Sequence, residues 1–167
     1  MRTGTYNANG RPVITGHVYN LPNTDVLSAQ FIVDSGADIT VLSGSDAIQS
    51  GFASAATADG DDDMRFPPDS NVETVATQGV GGESTMYIIR DPVEIGFADR
   101  DASGLDHLTV HFEELTALQI APNTTHSLLG RDVIDRFDTT FSYADQQIEF
   151  ERRDIKPDAA RDVSVDR

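Results

Sequence analysis

The sequence predicts an all-β domain with one short helix, and three observations carry that expectation. Short strand-like runs recur, as at residues 12–19, and residues 72–95 alternate between apolar and polar. These runs are bounded by Gly, Pro, Asn, Asp and Ser. Helical spacing with an apolar face occurs once, at Val133, Ile134 and Phe137.

In chain order, residues 12–19 read as a strand, 21–25 as a turn and 29–33 as the returning partner. A short strand begins at Val41. Residues 44–70 are rich in Ala, Asp, Gly and Ser, with four carboxylates between Asp59 and Asp63, and are expected to be an acidic insertion with some helix at 45–49. Residues 72–95 alternate as a long hairpin with its tip at residues 78–82. A polar loop at 97–106 and strands at 108–112 and 117–120 follow. Residues 127–130 lead into the helix, and 141–143 with 147–151 form a last hairpin. One domain over residues 1–151 and a charged, disordered tail over 152–167 are expected.

Composition excludes several classes of function. With 28 acidic residues against 12 basic ones the net charge is −16, which repels a phosphate backbone and argues against nucleic acid. There is no cysteine, hence no disulfide or thiol chemistry. No apolar run approaches the roughly 18 residues of a membrane span, and residues 1–6 lack the apolar core of a signal peptide. A soluble, cytoplasmic protein without a membrane partner is expected. Eleven of the basic residues are Arg and the other is Lys156. Carboxylate excess with almost no Lys resembles proteins of salt-accumulating archaea, in which molar salt shortens the Debye length to about 3 Å and screens self-repulsion.

Other chemistry fails on spacing. His107 and His111 lie over roughly 10 Å apart along a strand, and residues 59–63 lack the Gly and the bidentate Glu of a calcium loop. No metal or cofactor is expected. Residues 79–82 give no strand-to-helix dinucleotide fingerprint, and no Ser sits in a nucleophile elbow.

Three segments remain, and their order matters. An apolar strand, Phe31-Ile32-Val33, ends in Asp34-Ser35-Gly36-Ala37. Glycines recur at Gly79, Gly81 and Gly82, and Leu128-Leu129-Gly130-Arg131-Asp132 opens the helix. Together these resemble the retropepsin family of dimeric aspartic proteases over about residues 11–143. The resemblance implies a small closed antiparallel barrel, homodimeric, with the active site on the twofold axis. Asp34 would be catalytic, with Ser35 bonding across the dimer and Gly36 admitting the backbone close to the carboxylates. The loop occurs once, so the second carboxylate must come from a second copy. Two like charges in contact cannot both ionise, and the pair holds one proton with which to activate water.

An extended peptide or protein substrate would contact Ala37, Asp38, Gly79, Val80, Gly81 and Leu128, with main-chain bonds supplied by the hairpin acting as a flap. Thr40, Gly130 and Arg131 would support the site, Arg131 through a buried ion pair with Asp38. Departures are the long separation of Asp34 from Gly79, Ser in place of the more familiar Thr at Ser35, and continuation of the chain past Tyr143, which leaves the dimer pairing open. The implied function is an endopeptidase. The alternative is a catalytically silent dimerisation or peptide-binding module, and a weaker rival is a protease active only in a larger assembly or after trimming.

Overall fold

A computed structural model describes residues 2–21, 24–55, 64–79, 82–98, 107–111, 118–122 and 124–152. The strands are β1 (Arg2–Tyr6), β2 (Pro12–Leu21), β3 (Thr24–Val33), β4 (Val41–Ser43), β5 (Val72–Gly79), β6 (Gly82–Ile89), β7 (Glu94–Ala98), β8 (His107–His111), β9 (Gln119–Ala121), β10 (Ser127–Leu129), β11 (Phe137–Ser142) and β12 (Gln147–Arg152). Two helices stand among them: α1 (Gly44–Gln49), where some helix was expected within the insertion, and α2 (Arg131–Ile134), the short helix expected after Gly130. The molecule is mostly β, as the alternation predicts.

Burial follows the pleat. In β2, Val18 is fully buried and its neighbours His17 and Tyr19 are half-buried. The long β2–β3 hairpin runs antiparallel from Val13 opposite Ile32 to Leu21 opposite Thr24. Its inward residues Ile14, Val18, Leu27, Ala29 and Phe31 share one core with Leu42, Ile89, Ile120 and Leu129. At one end of this core Phe97 stacks on Phe150 at 6.2 Å, and Phe137 meets both rings edge-on.

The closed antiparallel barrel expected from the resemblance is not what forms. The sheet order β11-β12-β1-β2-β3-β10-β4-β9-β6-β5 is an open path, with β7 and β8 added beside β2, and among the described residues no pairing joins its two ends. Nor is the sheet purely antiparallel: β10 runs parallel to β3, and β9 parallel to β4. Both parallel pairs arise where the chain returns from a distance to lie beside an earlier strand, a connection no tight hairpin makes.

The acidic insertion is only partly a surface feature. Its apolar ends pack into the core, with Phe52 fully buried and Met64 8% exposed. Phe66 bridges Phe52 and Tyr87 at 5.7 and 4.9 Å, the Tyr87 hydroxyl accepts from the Met64 N–H at 3.0 Å, and Ser54 pairs with Arg65. Residues 56–63 between these ends lie outside the described residues, as do most of the 97–106 loop and residues 153–167 of the expected tail. α1 is capped by Ser43, whose hydroxyl accepts from the Asp46 N–H and donates to the Asp46 carboxylate at 2.8 Å. The same carboxylate oxygen takes the buried Ser127 hydroxyl at 2.6 Å, fastening α1 to β10.

Two boundaries differ from expectation. β1 pairs with β12 and β2 although its sequence, RTGTY, carries no apolar run. Phe137 does not extend the helix: α2 ends at Ile134, and Phe137 opens β11 with its ring buried.

Candidate active site

β3 and β10 lie side by side in parallel, so both chains leave the sheet at the same edge. β3 ends into Asp34 and β10 ends into Gly130, which brings together two segments separated by most of the sequence. The Asp34 N–H continues the ladder one step past β3 by donating to the Leu129 carbonyl at 3.0 Å. A tight turn follows, closed by the Ala37 N–H on the Asp34 carbonyl at 3.1 Å. The Asp34 carboxylate folds back over this turn, where Oδ1 accepts the Gly36 N–H at 2.9 Å. A Cβ on Gly36 would stand 3.2 Å from that oxygen, a tighter approach than most side chains make. Asp34 is half-buried, whereas Ser35 and Gly36 are exposed.

Gly130 and the start of α2 hold the turn from below. A Cβ on Gly130 would sit 2.4 Å from the Ile39 carbonyl carbon, so the position admits no side chain. The Arg131 N–H donates to the Ala37 carbonyl at 2.8 Å, and the Asp132 N–H to the Asp38 carbonyl at 3.2 Å. Thr40, fully buried, is the pivot: its hydroxyl accepts from the Gly130 N–H at 3.0 Å and donates to Asp132 Oδ1 at 2.7 Å. Its own N–H donates to Asp132 Oδ2 at 3.0 Å.

One expected tie is therefore corrected. Arg131 does approach Asp38, but at 3.7 Å, with side chains 52% and 86% exposed, and it also reaches Asp135 at 3.2 Å. Charges so hydrated contribute little. The buried connection is made instead by Asp132 with Thr40. The signal for it was a carboxylate two residues after a Gly that faces a buried Thr, and neither residue declares that pairing in the sequence.

Leu128 is half-buried and pairs in register with Ile32 and Val41, on the face opposite the buried Ser127 and Leu129. An apolar strip beside the Asp34 turn results. Val41 leads on to β9, and β9 pairs with β6, the inner strand of a hairpin whose register runs from Val72 opposite Ile89 to Gly79 opposite Gly82. Val80 and Gly81, named for its tip, lie outside the described residues. Among the described residues no group of three or more His, Asp or Glu is placed to hold a metal ion, and no helix is long and apolar enough to cross a membrane.

The chain matches no family model. Over 128 residues it is similar to a retroviral Gag-Pro polyprotein. The identity to that polyprotein, from Human T-cell leukemia virus 3 (strain 2026ND), is 31%, over 74% of this chain and 17% of the relative. The chain thus spans 17% of the curated relative it matches. The Gag-Pro polyprotein of strain Pyl43 is 30% identical over the same shares. Among solved structures, a retropepsin-like aspartic protease from Rickettsia conorii aligns at 16% identity and a TM-score of 0.48, covering 89% of this chain and 87% of its own. The EIAV protease, complexed with an inhibitor, aligns at 19% identity and a TM-score of 0.44, covering 78% of this chain and 91% of its own. The polyprotein similarity supports a retropepsin-like fold.

Proposed function

We propose that the chain is one subunit of a homodimeric aspartic endopeptidase. The observation that carries this reading is the Asp34 turn, with its carboxylate held on the Gly36 N–H and its backbone fixed to Leu129, Ala37 and the start of α2. A single such turn per chain requires a second copy to complete a carboxylate pair. In that pair one carboxylate takes a proton from water, which attacks the peptide carbonyl, while the other donates its proton to the carbonyl oxygen. Collapse of the tetrahedral intermediate breaks the C–N bond as the amide nitrogen is protonated. The strip formed by Leu128, Val41 and Ile32 suits an apolar side chain of an extended peptide, and the β5–β6 hairpin supplies a flap. Ser35, exposed at the turn, is free to bond across the twofold axis.

The experiment is cleavage of a mixed peptide library in molar KCl by the wild type and by Asp34→Asn, with and without a transition-state inhibitor of aspartic proteases. Asp34→Asn should abolish cleavage, by at least about 10³-fold, while leaving the unfolding midpoint within about 1 kcal/mol of wild type, because the amide keeps the acceptor for the Gly36 N–H. Undiminished turnover by a folded, pure Asp34→Asn protein would rule out the carboxylate pair.

A further inference from the structure

Beside the Asp34 turn, Leu128, Ile32 and Val41 form an apolar strip, and the turn leads into Asp38, whose side chain is 86% exposed. Arg131 lies 3.7 Å from that carboxylate but is drawn to Asp135, whose Oδ2 takes both its Nε and its Nη2 at 3.2 Å. Asp38 therefore keeps most of its charge for another cation. Such a surface suits an extended segment that carries apolar side chains and a cation on one face.

This chain contains one. Residues 1–152 carry the whole net charge of −16, on eight basic and 24 acidic residues, whereas residues 153–167 hold four of each. Within residues 161–167, RDVSVDR, Arg161, Val163, Val165 and Arg167 fall at alternate positions, so an extended strand presents them on one face and Asp162, Ser164 and Asp166 on the other. The path is short. β12 stops at Arg152, which pairs with Phe137, six positions after Arg131, whose N–H meets the Ala37 carbonyl. At about 1.5 Å per helical residue and about 3.3 Å per extended one, Arg152 is at most about 25 Å from Ala37. The nine steps from Arg152 to Arg161 span up to about 30 Å fully extended, and about 17 Å as a flexible coil.

We propose that residues 161–167 lie along this strip as an extended strand and act as a tethered competitor of substrate, with Val163 and Val165 over Leu128, Ile32 and Val41 and a flanking Arg on Asp38. The acidic face of the segment then points away from the Asp34 carboxylate. The competition rests on the endopeptidase reading above; the docking rests on shape and charge. Tethering sets an effective concentration on the order of 1 mM where the linker matches its span. A segment that binds in trans with a Kd of about 0.1 mM then raises the apparent KM for peptides about tenfold and leaves kcat unchanged. In molar salt the apolar contacts carry the affinity, since a Debye length of about 3 Å leaves only charges in contact unscreened.

Two measurements on the full chain in molar KCl test the docking. In peptide cleavage, the double variant Val163→Asp with Val165→Asp should lower the apparent KM about tenfold at constant kcat. In fluorescence anisotropy, a labelled peptide of residues 153–167 should bind that variant about tenfold more tightly than wild type, whose own segment competes. A transition-state inhibitor of aspartic proteases should displace the peptide. Equal KM and equal peptide binding in the two proteins overturn the competitor and leave the endopeptidase standing. A bound peptide that the inhibitor fails to displace overturns the proposed place of docking. Cleavage of the wild-type chain within residues 161–167 during the assay, read by mass spectrometry, makes the segment a substrate and overturns the competitor as well. If neither protein cleaves any peptide while the anisotropy difference and the displacement both hold, the docking stands and the endopeptidase reading falls.

Discussion

Replacing Thr40 by Val tests how the Asp34 turn is held. The two side chains are nearly isosteric, so packing is conserved at this fully buried site and the hydroxyl alone is removed. Its loss strands the buried Gly130 N–H, which costs about 1–3 kcal/mol, and deprives the Asp132 carboxylate of its 2.7 Å donor, a charge-assisted bond worth about 1.5–3 kcal/mol. Asp132 is half-buried and water recovers part of that bond. The net expectation is a loss of about 3 kcal/mol, a large share of the 5–15 kcal/mol typical of a domain, equivalent to about 10 °C in Tm. Urea unfolding at fixed molar KCl measures it, with Thr40→Ser as the control that keeps the hydroxyl and loses one methyl for about 1 kcal/mol. A Thr40→Val protein within 1 kcal/mol of wild type, or more stable than Thr40→Ser, would refute the role of the hydroxyl.

Phe52→Ala should cost about 3–5 kcal/mol in the same assay, because the ring is fully buried beside Phe66; a cost below about 1 kcal/mol would return residues 44–70 to the surface. Arg131→Gln should lower stability by less than about 1 kcal/mol, since both of its ion pairs are exposed and its backbone bond to Ala37 survives. A larger loss would restore the Asp38 pair as the main tie. On dialysis from molar KCl to about 0.1 M, where the Debye length lengthens to about 10 Å, dimer and cleavage activity should both vanish, and both should return with salt. Full activity in dilute buffer would remove the salt dependence inferred from the net charge of −16 without touching the protease reading.

What the sequence made legible was what repeats locally. Alternation gave the strands flanking Asp34, and glycine punctuation gave the hairpin that the structure builds between Val72 and Ile89. β1 escaped because it is held by ladder bonds to β12 and β2 and not by apolar burial: at Gly4 even a Cβ would meet the Val13 carbonyl at 2.6 Å. The buried ends of the insertion were hidden among acidic and small residues, where Phe52 and Met64 look isolated until Phe66 is brought beside the one and Tyr87 beside the other. At the candidate site, the proximity of residues 34–37 to 130–131 followed from motif order. The role of Asp132 was not legible, since its partner, Thr40, is 92 positions away in the chain.

The parallel pairing of β3 with β10 also bears on when the molecule becomes complete. Ser127 lies beside Phe31, and Leu129 beside Val33, so the frame around Asp34 is a contact of very high sequence separation. Such contacts form late, because the entropy of closing so long a loop must be met before any bond across it is gained. During synthesis the Asp34 segment emerges well before β10, and until β10 arrives its N–H has no Leu129 carbonyl to meet and its turn no Gly130 beneath it. The frame that holds the Asp34 carboxylate is thus absent from the nascent chain until β10 has been made, and topology sets when the turn can be fixed.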